Sequence, residues 1–272
     1  MNNSTAGLLL HSVDEKPRLS MSSYSKERFR AFLDYLENNN IESVTVGQHN
    51  SCQFSVVGFQ QNKELNNVEN GDRHKKIAIT FDDGLQSFYD NAFPLLEEKN
   101  IKSTIFPVAG LVGKTGGWDV MGRTSHMSAA MLREIAMKGH EIGSHSLTHA
   151  NLVWLGDDDL KKELCGSKAI LEDITGIPVR SISFPFGSWN KRVWEMAKSV
   201  GYEYAAAYRG HRRVSPEILP VLGVYRFDSV SDIVDRMSPS PSLSKILARI
   251  MSHFSKGSPL VKFRKEYVRF PW

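Results

Sequence analysis

Residues 75–108 read KKIAITFDDGLQSFYDNAFPLLEEKNIKSTIFPV, and their pattern decides the fold. The β-branched, apolar run at 77–81 predicts a strand. Phe88, Ala92, Leu95 and Leu96 then recur at helical spacing across 87–99, and 104–108 is a second apolar run. Strand, helix and strand in so short a span make a βαβ unit, whose crossover sets the two strands parallel. Two carboxylates, Asp82 and Asp83, stand where the first strand ends. Like charges on neighbours repel, and partial burial makes one of them hold its proton unless a cation intervenes. Either both face water or something positive sits there.

Working outward, the same alternation continues. Ser128 caps a helix carrying Leu132, Ile135 and Ala136, which closes at Gly139, a residue suited to a left-handed C-cap. A strand at 141–144 follows, then a helix over 157–175 with Leu160, Leu164, Leu171 and Ile174 apolar and three aspartates at its positive end. A strand at 181–184, a helix near 190–200 and a strand at 204–208 extend the series, and 219–229 reads as a closing strand with Arg226 and Asp228 near the rim. Toward the N-terminus, 8–13 reads as a buried strand, and Ser25 caps a helix whose Phe29, Phe32, Leu33 and Leu36 form one stripe. A short strand at 43–46 precedes a polar loop at 60–75. Repeated strand–helix units predict an α/β fold with a parallel sheet and helices outside, open or closed into a barrel. Chemistry belongs at the carboxyl ends of such strands, where the loops converge.

The 272 residues can bury a large core, and 41% hydrophobic with 24% charged residues is ordinary for a soluble globular chain. Cys52 and Cys165 lie far apart and suggest neither a disulfide framework nor a thiolate zinc site. The N-terminal stretch has no basic leader and no run is long enough to span a membrane, so the expectation is a cytoplasmic protein, with the inner face of the membrane as an alternative place that its basic tail would allow. The net charge of +4 is uneven: residues 241–272 carry seven Lys or Arg against Glu266, leaving a mildly acidic body. In that tail Leu243, Ile246, Leu247, Ile250 and Phe254 follow helical spacing. A basic amphipathic tail suits peripheral contact with an anionic membrane, and equally a terminal helix packed on the barrel. No nucleic-acid binding module accompanies the charge.

Two further segments fall at strand ends. "HSLTH" places His145 and His149 at i and i+4, so on a helical turn both imidazoles face one way. Two neutral imidazoles and a carboxylate suit zinc or a similar divalent ion, with positions left open. Ser146 stands where a metalloprotease HExxH motif has its glutamate, so any general base comes from elsewhere, and the Asp82–Asp83 pair offers both a third ligand and a base. The other segment is "SFPFGSWN", at 183–190.

These segments resemble the NodB-homology polysaccharide deacetylases, carbohydrate esterase family 4, over about residues 77–208: "TFDDG" matches the first motif, "HSLTH" the second and "FPFG" the core of the third. The resemblance implies a distorted (β/α) barrel as a single domain over 1–240, followed by the basic tail at 241–272. It implies hydrolysis of an N-acetyl group from an acetamido sugar, in a polysaccharide or lipid-linked glycan precursor of the cell surface. One divalent metal is implied, zinc first, with cobalt, nickel, manganese or iron as others. Carried onto this chain, Asp82 is the general base, and Asp83, His145 and His149 are the metal ligands. The backbone N–H of Phe186, after Pro185, is the oxyanion donor, with Gly187 and Trp189 beside it on the substrate side and Trp118 near the mouth.

The chain departs from the family pattern twice. Ser183 stands where the third motif usually carries an arginine, and Arg180 or Arg226 are the candidates to replace it. No LxxH motif follows the last strand. Some members resembling the poly-N-acetylglucosamine deacetylases are circularly permuted, with this motif on the first strand; "LLLHSV" fits and makes His11 the candidate general acid, with His211 its competitor. The rival functions are another C–N amide hydrolase, such as a deformylase, and a carbohydrate-binding protein without catalysis.

Overall fold

The short apolar runs become the cores of strands of two to nine residues in one main sheet, as the alternation requires. The computed structural model describes residues 7–16, 20–49, 75–116, 124–208 and 217–237. Trp118, His211, most of the polar 60–75 segment and the 241–272 tail lie outside the described residues.

In chain order the strands are β1 (Gly7–Leu10), β2 (Ser12–Asp14), β3 (Ser23–Ser25), β4 (Ile41–Val44), β5 (Lys75–Asp83) and β6 (Thr104–Pro107). They continue with β7 (Thr115–Gly116), β8 (Thr124–Ser125), β9 (Glu141–Ile142), β10 (Ser181–Ser183), β11 (Tyr204–Tyr208) and β12 (Ile218–Gly223). The helices are α1 (Lys26–Asn38), α2 (Phe93–Glu98), α3 (Ala129–Met137), α4 (Asp157–Thr175), α5 (Lys191–Ser199) and α6 (Val230–Met237). The main sheet runs β10-β11-β12-β1-β5-β6-β9, with every ladder parallel, and β4 pairs the first half of β5. A parallel bridge from Ser144 to Ile182 joins the two ends of this path, which makes a distorted α/β barrel. Among the described strands the first in sequence, β1, lies between the last, β12, and β5.

Period-two alternation sorts the side chains of β5. Ile77, Ile79 and Phe81 join the large core between sheet and helices, which also takes Phe29, Phe32, Leu33 and Leu36 of α1. Ala78 faces the other way, into a second apolar cluster with Leu9, Phe106, Ala206, Leu219 and Val221 inside the ring. Ser25 and Ser128 cap their helices as expected, accepting the N–H groups of Arg28 and Met131, and Asn190 likewise accepts the N–H of Val193.

Four local expectations need correction. The 8–13 run is not one strand; it bends at His11, and β2 pairs β3 in a separate ladder. The 87–99 helix opens with a π-helical turn over Phe88–Ala92, because Pro94 has no N–H for the carbonyl four residues back and its ring crowds that carbonyl. The 43–46 strand lies at Ile41–Val44. The "HSLTH" segment is no helical turn: residues 145–149 are irregular, with left-handed backbone at Ser146 (φ 66°) and His149 (φ 63°).

Candidate metal centre

Strict alternation along β5 would send Asp82 and Asp83 to opposite faces. Asp83 instead takes left-handed backbone, φ 69°, which ends the alternation. Both carboxylates then reach one space: Asp82 Oδ2 lies 3.8 Å and Asp83 Oδ1 3.6 Å from His145 Nε2. Gly84 completes the turn at φ 66°, where a β-carbon would stand 2.7 Å from the Cα of Pro107. Non-glycine left-handed residues are costly, and those of this chain are informative. Among the described residues there are six; Asn40 and Asn100 end helices, and Asp83, Ser146, His149 and Phe186 all belong to the strand-end segments.

His149 Nε2 also lies 3.6 Å from Asp83 Oδ1, and one ligand atom from each of Asp83, His145 and His149 falls within 4.8 Å of the others. Two ligands each about 2.1 Å from a tetrahedral ion stand about 3.4 Å apart, so the spacing fits a small divalent cation. The chemistry of the set fits as well. His145 Nδ1 lies 2.9 Å from the Ser183 carbonyl and donates to it, which leaves Nε2 as the free lone pair. Asp83 Oδ1 is buried with no hydrogen-bond partner, and among the described residues no lysine or arginine pairs with either carboxylate. A buried acceptor cluster of this kind is unfavourable without a cation. With only these three as ligands, a bound ion would keep open coordination positions, as catalytic sites do.

Asp82 is set apart by its own partner. The Ser183 hydroxyl donates to Asp82 Oδ2 at 2.8 Å, and Oδ1 is buried without a partner. Burial, then the charge of Asp83, push the Asp82 carboxyl well above the usual carboxylate range, and the Ser183 bond opposes them. Burial pushes His145 down to about 4, against the pull of Asp83 and with the help of the His11 charge. Ser183 thus stands in the arginine's place and supplies a hydrogen bond itself. Neither proposed replacement does so: Arg180 pairs with Glu203, and the guanidinium of Arg226 lies over the Phe227 ring.

His11 follows β1 directly, and the β1 register sets Leu10 beside Phe81, the residue before Asp82. His11 is half-buried, and its Nδ1 has no hydrogen-bond partner. Pro185–Gly187 form a tight turn with Phe186 at φ 61°, and the Phe186 ring packs edge-on against His149 at 4.6 Å. Trp189 stacks on Phe184 at 5.8 Å and leans on the main core, so packing accounts for much of its surface. His126, which the sequence reading passed over, lies with Nδ1 3.0 Å from the Asp83 carbonyl and supports the strained turn. No spacing in the sequence marked it.

A parallel α/β barrel brings a carboxylate and two imidazoles together at the carboxyl ends of its strands, a group that could hold a metal ion. The chain belongs to the polysaccharide deacetylase family, whose sequence profile matches residues 69–205. It is 26% identical over 196 residues to the Bacillus subtilis protein YxkH, covering 72% of this chain and 61% of that protein. It is 26% identical to the Bacillus cereus peptidoglycan-N-acetylglucosamine deacetylase and 29% identical to chitin deacetylase 1 of Cryptococcus neoformans. Those matches cover 41% and 46% of this chain and 36% and 24% of the relatives, so the chain spans only part of their length. Among solved structures, the Streptococcus pyogenes deacetylase PplD, in complex with acetate, superposes with a TM-score of 0.70 over 86% of this chain and 98% of its own, at 18% identity. The Bacillus cereus polysaccharide deacetylase BC0361 gives 0.64 over 86% and 68%, at 23% identity. At such identities these likenesses speak to the fold.

Proposed function

We propose that the protein hydrolyses the N-acetyl group of an acetamido sugar within a polysaccharide or a lipid-linked glycan precursor. The observation that carries this reading is the buried convergence of Asp83, His145 and His149, with Asp82 held beside them by Ser183, in a chain of the polysaccharide deacetylase family. Relatives named for peptidoglycan N-acetylglucosamine and for chitin support a sugar-borne acetamide as the substrate class. A divalent ion held by Asp83, His145 and His149, zinc first, would supply Lewis-acid charge and a water acidified to a pKa of about 7.

The chain's own residues divide the remaining work. Asp82 takes the proton of the attacking water through Oδ1, since Oδ2 is engaged by Ser183. Its raised affinity for a proton suits a base working near neutrality. The Phe186 N–H is assigned to the oxygen that gathers charge at the tetrahedral stage, where one such donor contributes about 3 kcal/mol. His11 gives a proton to the sugar nitrogen as the C–N bond breaks, so that the nitrogen leaves as a neutral amine and the acetyl group as acetate.

The test is acetate release from N-acetylated oligosaccharides by protein stripped of metal and then reloaded. Asp82→Asn should lower turnover by about 10²- to 10⁴-fold, and His11→Ala should lower it within the same range while metal content stays intact. Full turnover in Asp82→Asn refutes the base assignment. Release of formate but not acetate favours the deformylase reading, and sugar binding without any product favours the non-catalytic one.

A further inference from the structure

The segment from His145 to His149 carries two of the three candidate ligands yet has no helix or strand to hold it. Its N–H groups need acceptors, because a buried backbone donor without one is rare. Leu147 and Thr148, between the two histidines, both donate to a single oxygen, Glu163 Oε2, at 2.9 and 3.0 Å, and the Thr148 hydroxyl donates to Oε1 at 2.5 Å. Glu163 lies in α4 among the residues that the helix buries, Leu160, Leu164, Ser167 and Leu171, and is itself only 8% exposed. A carboxylate in that position is unfavourable unless donors meet its oxygens, and these three donors do.

The same helix completes the seat. At Gly166 a β-carbon would stand 3.2 Å from Leu147 Cδ2, and Ser167 accepts the Ser144 hydroxyl at 2.9 Å. From the opposite side Ala109 and Gly110 donate their N–H groups to the carbonyls of Ser146 and Leu147. The segment is clamped from both sides, and Glu163 is the charged clamp.

We propose that Glu163 is a positioning residue for the metal centre. By fixing the Leu147–Thr148 peptides it sets the left-handed turn at His149, and with it the placement of His149 Nε2 against Asp83. The inference rests on the proposed ligand set but concerns a residue that touches neither substrate nor ion.

Titration of the metal-free protein with zinc against a competing chelating dye, together with thermal unfolding of the metal-free forms, tests it. Glu163→Ala should raise the zinc Kd by about 10- to 100-fold, the usual effect of losing support behind a ligand. Glu163→Gln can still accept both N–H groups while its amide faces the Thr148 hydroxyl, and should stay within about threefold of wild type. An Ala variant that melts lower yet binds zinc as wild type does would make Glu163 a stabilising group alone and overturn the proposal. Should that variant not fold, Glu163→Asp decides: one methylene shorter, it withdraws the carboxylate, so a Kd about tenfold higher supports positioning and an unchanged Kd refutes it. Failure of wild type to bind zinc would overturn the centre and this role together, whereas wild-type binding with unchanged variants overturns the role alone.

Discussion

Asp82 and Asp83 are neighbours in sequence with separate environments. Asp83 is aimed at two imidazoles by a left-handed backbone, while Asp82 keeps the strand's alternation and meets the Ser183 hydroxyl. That hydroxyl is a neutral donor where the family usually has a cation, so it lowers the Asp82 pKa without adding charge. Ser183→Ala removes the hydrogen bond that favours the carboxylate, so Asp82 should hold its proton to higher pH. Because the base works deprotonated, the acid limb of the pH–rate profile should move upward, with turnover near neutrality falling; an unmoved limb would show that Ser183 does not tune Asp82. The pair was legible in the sequence as a candidate base and ligand, but the turn that brings both carboxylates to one space was not. Alternation alone puts the two carboxylates on opposite faces, and nothing in the residue names announces positive φ at an aspartate.

Among the elements, those governed by local rules follow the sequence closely. α1, α3 and α5 begin at Ser25, Ser128 and Asn190 because short polar side chains satisfy their first N–H groups. Elements governed by tertiary contacts depart from it. The 145–149 segment has helical spacing but loop geometry, because Ala109, Gly110 and Glu163 offer its backbone better partners than its own turn would. Glu163 was readable only as a lone acid on the inward stripe of α4, an oddity that the apolar residues around it concealed. The turn after β5 is the most demanding local structure. Gly84→Ala would add a β-carbon 2.7 Å from the Pro107 backbone at φ 66°. Stability should fall by about 2 kcal/mol in denaturant unfolding, and metal retention should fall with it. A variant as stable as wild type would show that the turn relaxes freely.

The described fold brings residues 11, 82, 83, 145, 149 and 183 to one end of a ring, and β1 takes part by lying between β12 and β5. The alternation of strands and helices predicted the parallel sheet; closure through the Ser144–Ile182 bridge depends on long-range register that no local pattern encodes. Burial of the site also couples it to global stability. In the metal-free protein the folded His145 has a pKa near 4, below its unfolded value of about 6.5, so the unfolded chain binds the extra proton between these pH values. Its contribution is therefore complete above pH 6.5 and declines as pH falls. Asp82, with a raised pKa, acts in the opposite direction over an overlapping range. Metal-free Asp82→Asn removes that offset and should lose more unfolding free energy from pH 6.5 to pH 5 than metal-free wild type does. Equal losses in the two proteins would mean that the carboxyl of Asp82 is not held protonated.

Everything in this account depends on a divalent ion shared by Asp83, His145 and His149, so the most direct measurement is metal per chain by elemental analysis after dialysis against zinc. One ion per chain is expected in wild type and well below one in each of Asp83→Ala, His145→Ala and His149→Ala, with all four proteins folded by circular dichroism. Wild type without bound metal, or three variants that retain it at full stoichiometry, would contradict the account.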